Sequence, residues 1–120
     1  MKGVIVGLIA LALLAGCGGN TAAQPSGSTK VSMTEFKFTP SDLSFPAGKI
    51  VLFLVNDGNG TSHDLVIRDS SGKTVARSEL VSAGDSIVFT VDNLAAGSYT
   101  IFCDQPGHEA SGMKGTLTVT

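Results

Sequence analysis

Apolar positions along this 120-residue chain fall mostly in short runs separated by turn residues, and their spacing is that of strands. Val31, Met33, Phe36 and Phe38 alternate with polar residues, with a slip near Glu35 that predicts a bulge before Pro40 ends the run. A short segment follows at 42–45. Residues 49–55, KIVLFLV, are a continuous apolar run between Pro46-Ala47-Gly48 and Asn56-Asp57-Gly58, as expected of a central strand. A loop rich in Gly and Asn leads to 63–67, a Ser70-Ser71-Gly72 turn to 74–76, and an Ala83-Gly84-Asp85 turn to 86–91, where Ile87, Phe89 and Val91 share a face. Segments 98–102 and 114–119 complete the set. No stretch carries a helical period, so the pattern predicts an all-β, two-sheet sandwich of seven or eight strands with Greek-key connections. Met33 is expected in its core, Tyr99 as a packing or corner residue, and Phe102 beneath any site formed by its neighbour Cys103.

The N-terminal part departs from this pattern. Residues 1–16 carry one charge, Lys2, and an apolar run from Val4 to Ala15. That run is shorter than the ~20 residues needed to span a bilayer and ends in small residues, which reads as an export signal. Leu14-Ala15-Gly16-Cys17 resembles the lipobox of bacterial lipoproteins, a resemblance that implies cleavage before Cys17 and lipid on its sulfur. Residues 18–29, GGNTAAQPSGST, are small and polar without apolar periodicity, and are expected to form a flexible tether of roughly 20 Å average span. Residues 30–120 are then one domain, with enough chain for a single core.

Charge removes one class of function. The formal net charge is −2, and with Lys2 assigned to the signal, seven basic side chains face ten scattered acidic ones. There is no basic stripe for a nucleic acid.

Cysteine usage adds another constraint. With Cys17 lipidated, the domain keeps a single cysteine, so a disulfide inside it is impossible. A lone thiol in an oxidising compartment is open to oxidation and mixed disulfides, and metal ligation gives it a reason to be there. Cys103, His108 and Met113 are separated by four residues each, with Pro106-Gly107 supplying a turn that can fold His108 back toward Cys103. His63 follows a Gly-rich loop and can reach the same place. Two imidazoles, a thiolate and a weak axial thioether form the blue-copper electron-transfer arrangement. Zinc is the alternative, disfavoured because its structural sites are usually closed by four strong N or S ligands.

The run Tyr99-x-x-x-Cys103-x-x-Pro106-Gly107-His108-x-x-x-x-Met113-x-Gly115, closed by Thr116-Leu117-Thr118-Val119 and preceded by His63, resembles the signature of the cupredoxins, the type 1 blue copper proteins. The resemblance covers 30–120. It implies one copper ion, with His63, Cys103 and His108 as equatorial ligands and Met113 as the axial one. The gap between Cys103 and His108 is longer than in plastocyanin and is similar to the auracyanin and rusticyanin type. Asp64 stands where plastocyanin has an asparagine that helps tie the two ligand loops, and Asp104 adds a second carboxylate beside Cys103.

The implied function is one-electron transport, not enzymatic, at the outer face of a membrane. The implied partners are redox proteins (a membrane complex, a cytochrome or an oxidase) that dock transiently on a monomer. Pro106 and Ala110 would border the His108 edge where electrons leave, and Gly58 and Gly60 would keep that end flat. Delivery of copper to a client is the alternative; it calls for exposed Met or His clusters, which this sequence lacks. A copper oxidase or nitrite reductase needs a second catalytic copper with further histidines, and none are available.

Overall fold

The structure, a computed structural model, describes residues 21–120. The expected signal at 1–16, Cys17 and the start of the expected tether lie outside the described residues.

Nine strands form, and no helix is found among the described residues: β1 (Thr29–Thr34), β2 (Lys37–Thr39), β3 (Asp42–Phe45), β4 (Gly48–Asn56), β5 (Val66–Arg68), β6 (Thr74–Arg77), β7 (Ser86–Leu94), β8 (Gly97–Phe102) and β9 (Lys114–Val119). They make a four-stranded sheet ordered β2-β1-β4-β7 and a five-stranded sheet ordered β3-β9-β8-β5-β6. Both sheets are mixed, because β1 runs parallel to β4 and β3 parallel to β9 while the other pairs are antiparallel. The apolar run at 49–55 is central, as its composition requires, with β1 on one side and β7 on the other.

The extra strand comes from the slip at Glu35. It is a tight turn and not a bulge: β1 ends at Thr34, β2 returns antiparallel from Lys37, and the register pairs Thr34 with Lys37. The chain reverses there, which a shift in alternation alone does not distinguish from an inserted residue.

Inward positions of the two sheets meet in one core. Val31, Met33, Leu52 and Leu54 face Leu65, Ile67, Ile101 and Leu117, all of them fully buried. Each such side chain stabilises the fold by about 1.5–3 kcal/mol relative to an exposed one. Tyr99 fills the corner role, packing on the core while its hydroxyl donates to the Ala95 carbonyl at 2.6 Å. Phe102 does not lie beneath Cys103. Side chains alternate along β8, so Ile101 and Cys103 point inward and Phe102 points to the other face, where its ring carries the Arg68 guanidinium 4.3 Å from the centroid.

Part of the stretch expected to be tether lies on the domain. Thr21 bridges Ser86 in parallel, the Ala22 N–H donates to the Ser86 carbonyl at 3.1 Å, and the Ser86 hydroxyl donates to the Ala22 carbonyl at 3.0 Å. Ser28 closes a turn on the Pro25 carbonyl through both its N–H and its hydroxyl.

Candidate metal centre

Three connections converge at one end of the sandwich: the β1–β2 turn, the loop from β4 to β5, and the loop from β8 to β9. Each brings a side chain that the others lack.

The loop after β4 carries His63. Its course is fixed by Asn56, the last residue of the central strand and almost wholly buried. The Asn56 Nδ2 donates to the carbonyls of Thr61 and Val81, both at 2.8 Å, and its Oδ1 accepts from the Gly58 N–H at 2.9 Å. One amide side chain thereby satisfies three backbone groups of an irregular segment. His63 and Val81 then exchange backbone hydrogen bonds at 3.0 and 2.8 Å, which pins the histidine at the mouth of the core.

The loop from β8 to β9 carries the rest. The His108 N–H closes on the Gln105 carbonyl at 3.0 Å around Pro106 and Gly107, and the positive φ of Gly107, 80°, is the conformation that such a turn asks of glycine. The loop is pulled shut at its base, where the Cys103 N–H donates to the Met113 carbonyl at 3.1 Å and the Met113 N–H to the His108 carbonyl at 3.0 Å. Cys103 and Met113 are fully buried, and His108 is nearly so.

The donor atoms of His63, Cys103 and His108 all lie within 4.8 Å of one another. The two Nδ1 atoms are 3.2 Å apart, and Cys103 Sγ stands 3.4 Å from His108 Nδ1 and 4.0 Å from His63 Nδ1. A triangle with those sides has its centre about 2 Å from every corner, the length of an imidazole bond to a first-row ion and slightly short of a thiolate bond. Two nitrogens and a soft sulfur at one point, closed from water, fit a transition-metal ion.

Protonation agrees with ligation. Burial, reinforced by the His108 imidazole beside it, holds His63 below the usual imidazole range, which favours the neutral ring with a lone pair to give. Burial pushes the Cys103 thiol up, opposed by hydrogen bonds from the backbone of Asp64 and Gln105 that favour the thiolate. The thiol keeps its proton until a cation takes its place.

Asp64 ties the two ligand loops after all. Its Oδ1 accepts from the Asp104 N–H at 2.9 Å, so a carboxylate oxygen makes the link that an asparagine would make. The two carboxylates do not stand alone, because Arg77 reaches both, pairing closely with Asp104 and lying 3.6 Å from Asp64 Oδ2. On the far side of His108, Arg68 bonds Glu109 at 2.9 Å.

Of the residues expected at the docking end, Pro106, Ala110 and Gly60 are exposed. Gly58 is half-buried, and the Glu35 carboxylate occupies the space where its side chain would be.

Sequence reasoning missed the contribution of the β1–β2 turn. Phe36 stacks edge-on against His108 with ring centroids 4.8 Å apart, and Glu35 places Oε1 3.4 Å from His63 Nε2. The available signal was the broken alternation at 35–36, which marks a turn but not its destination.

A family model described as a cupredoxin-like domain matches residues 7–119. Over 70 residues the chain is 39% identical to the azurin of Pseudomonas denitrificans, covering 55% of this chain and 54% of the azurin. Over 110 residues it is 31% identical to auracyanin-B of Chloroflexus aurantiacus, covering 69% of this chain and 47% of that protein. The chain thus spans about half the length of these relatives. A solved structure of auracyanin B superimposes with a TM-score of 0.70 at 28% identity, covering 86% of this chain and 96% of the other.

Proposed function

The chain belongs to the cupredoxin-like family, and from that premise we propose that it is a one-electron carrier built on a single type 1 copper site. The observation that carries this reading is the convergence of His63 Nδ1, His108 Nδ1 and Cys103 Sγ on one buried point. These three side chains, with Met113 from the same loop as Cys103 and His108, would hold the copper. Copper supplies the one-electron couple when bound.

The protein's part is to keep its own ligands still. His63 is fixed by its exchange of hydrogen bonds with Val81, Cys103 by the Met113 carbonyl, and His108 by the Gln105 carbonyl and the Met113 N–H. The backbone groups that favour the thiolate are already aimed at the sulfur. Ligands held this way reorganise little between oxidation states, which is what fast electron transfer requires.

The exit lies at His108. His108 is 7% exposed, Pro106 and Ala110 beside it in the loop are exposed, and Phe36, 39% exposed and packed edge-on against the His108 ring, extends the apolar area. Such a patch suits the small, short-lived interfaces of electron-transfer encounters with a membrane complex, a cytochrome or an oxidase. The sequence signals at 1–17 support a carrier outside the cytoplasm, held to the membrane by lipid on Cys17. A carrier role fits a buried site whose donors would all be taken up in holding the ion.

The test is optical. Adding Cu(II) to the purified domain is expected to produce an intense visible charge-transfer band that is absent in Cys103→Ser. An apo-like spectrum in the wild-type protein would sink the reading. Titration with a competing chelator distinguishes delivery from transport, since a carrier retains its copper through redox cycles.

A further inference from the structure

His63 uses Nδ1 toward the other donors, which leaves Nε2 pointing the opposite way. That nitrogen is fully buried and has no hydrogen bond to a backbone carbonyl or to any other ordinary partner. A buried ring N–H without an acceptor is costly, because it gives up its hydrogen bond to water and gains none in return. The group that faces it is the Glu35 carboxylate, with Oε1 3.4 Å away.

The placement of Glu35 is built in by three features. The tight β1–β2 turn projects it over the loop that carries His63. The Asn59 N–H donates to both carboxylate oxygens at 3.2 Å, holding the head group in place. The absence of a side chain at Gly58 makes the room: a Cβ built there would lie 2.9 Å from Glu35 Cδ, inside van der Waals contact.

We propose that Glu35 is a positioning residue for the metal centre, a carboxylate that accepts from His63 Nε2–H, fixes the tautomer in which Nδ1 is free to ligate, and lowers the reduction potential of the bound ion. This rests on the copper reading above. A metal-bound imidazole whose other nitrogen donates to a carboxylate is a stronger base than one donating to a neutral group, and a stronger donor favours the higher oxidation state. The negative charge acts in the same direction through a buried ring that water does not screen. Glu35 is only partly covered, so solvent tempers this charge; the contact with Nε2 is the larger part of the effect.

The experiment is voltammetry on the copper-loaded protein, comparing wild type with Glu35→Gln and with Asp57→Asn. Asp57 is an exposed carboxylate at the same end that bonds Ser32 and touches neither ring, so it reports the effect of charge alone. Glu35→Gln is expected to keep the blue band and to shift the reduction equilibrium toward the reduced form by about tenfold, 59 mV for one electron, with Asp57→Asn moving it much less. Pulsed EPR of the oxidised protein is expected to show altered quadrupole couplings of one remote imidazole nitrogen in Glu35→Gln. A blue Glu35→Gln protein with the wild-type potential, or an equal shift in Asp57→Asn, overturns the role of Glu35 while leaving the copper site intact. Absence of the band in the wild-type protein overturns both.

Discussion

Asp64 is buried beside a ligand, and its position sets two energies against each other. Burial raises its carboxyl above the ordinary value of 3.8, and the hydrogen bond with Cys103 and the charge of Arg77 only partly offset this. A carboxyl whose folded pKa lies above its unfolded one binds its proton more tightly in the native state. Between the two values the unfolded chain holds fewer protons than the folded one, so stability falls as pH rises through that window and stays lower above it. Asp64→Asn removes the titration, while the amide oxygen can still accept from the Asp104 N–H. In the metal-free protein the variant is therefore expected to have a higher urea midpoint than wild type at neutral pH, and to lose the decline that begins above pH 3.8. A lower midpoint at neutral pH would mean that the ion pair with Arg77 outweighs the cost of burying the charge.

At the scale of elements, β9 and the turn before β3 approach each other closely at Gly115. Gly115 pairs with Ile101 across the β8–β9 ladder, and the backbone carbonyl of Ser41 passes directly over its Cα on the way to the Thr116 N–H, from which it accepts at 2.9 Å. A methyl group there would collide with backbone, which cannot rotate away as a side chain can. Gly115→Ala is expected to destabilise the protein by about 1–3 kcal/mol, the usual cost of overpacking, measured by urea unfolding. A neutral effect would show that the 40–42 turn is free to move.

This element also shows which parts of the centre could be read in advance. Cys103, His108 and Met113 stand in one loop, where spacing in the chain and distance in space are nearly the same thing. His63 was legible because the chain offers two histidines in all. Glu35, Phe36 and Arg77 were not. Glu35 and Phe36 arrive through a tight turn whose direction depends on β1 pairing in parallel with β4. Arg77 arrives through the β5–β6 register that sets Val66 opposite it. The first is a long-range pairing and the second a hairpin with a register shift between Ile67 and Arg68; alternation identifies strands without naming their neighbours or their register. The same limit explains why the turn at 35–36 reads as a bulge, and why the seven or eight expected strands become nine.

Strand direction across the whole molecule decides how the domain would face a membrane. The central strand β4 runs toward the metal centre and ends in Asn56, while β7 runs away from it and begins at Ser86, opposite Val55. Thr21 bridges Ser86, so the first described residue lies at the metal end of the sandwich. Four residue steps separate it from Cys17, at most about 14 Å of extended chain. With residues 21 and 22 held on β7, a lipid on Cys17 would keep the copper end close to the bilayer and would not let the domain swing freely on the whole tether. With Cys17 lipidated, that arrangement would raise the effective concentration of the His108 end at any redox partner embedded in the membrane. Cys17→Ser is expected to move the protein from the membrane fraction to the soluble extracytoplasmic fraction with its blue band unchanged. It is also expected to slow its reduction and oxidation by membrane-bound partners while leaving exchange with small soluble reagents unaffected. Retention of the variant in the membrane fraction would identify an uncleaved signal as the anchor and remove the lipid from the account.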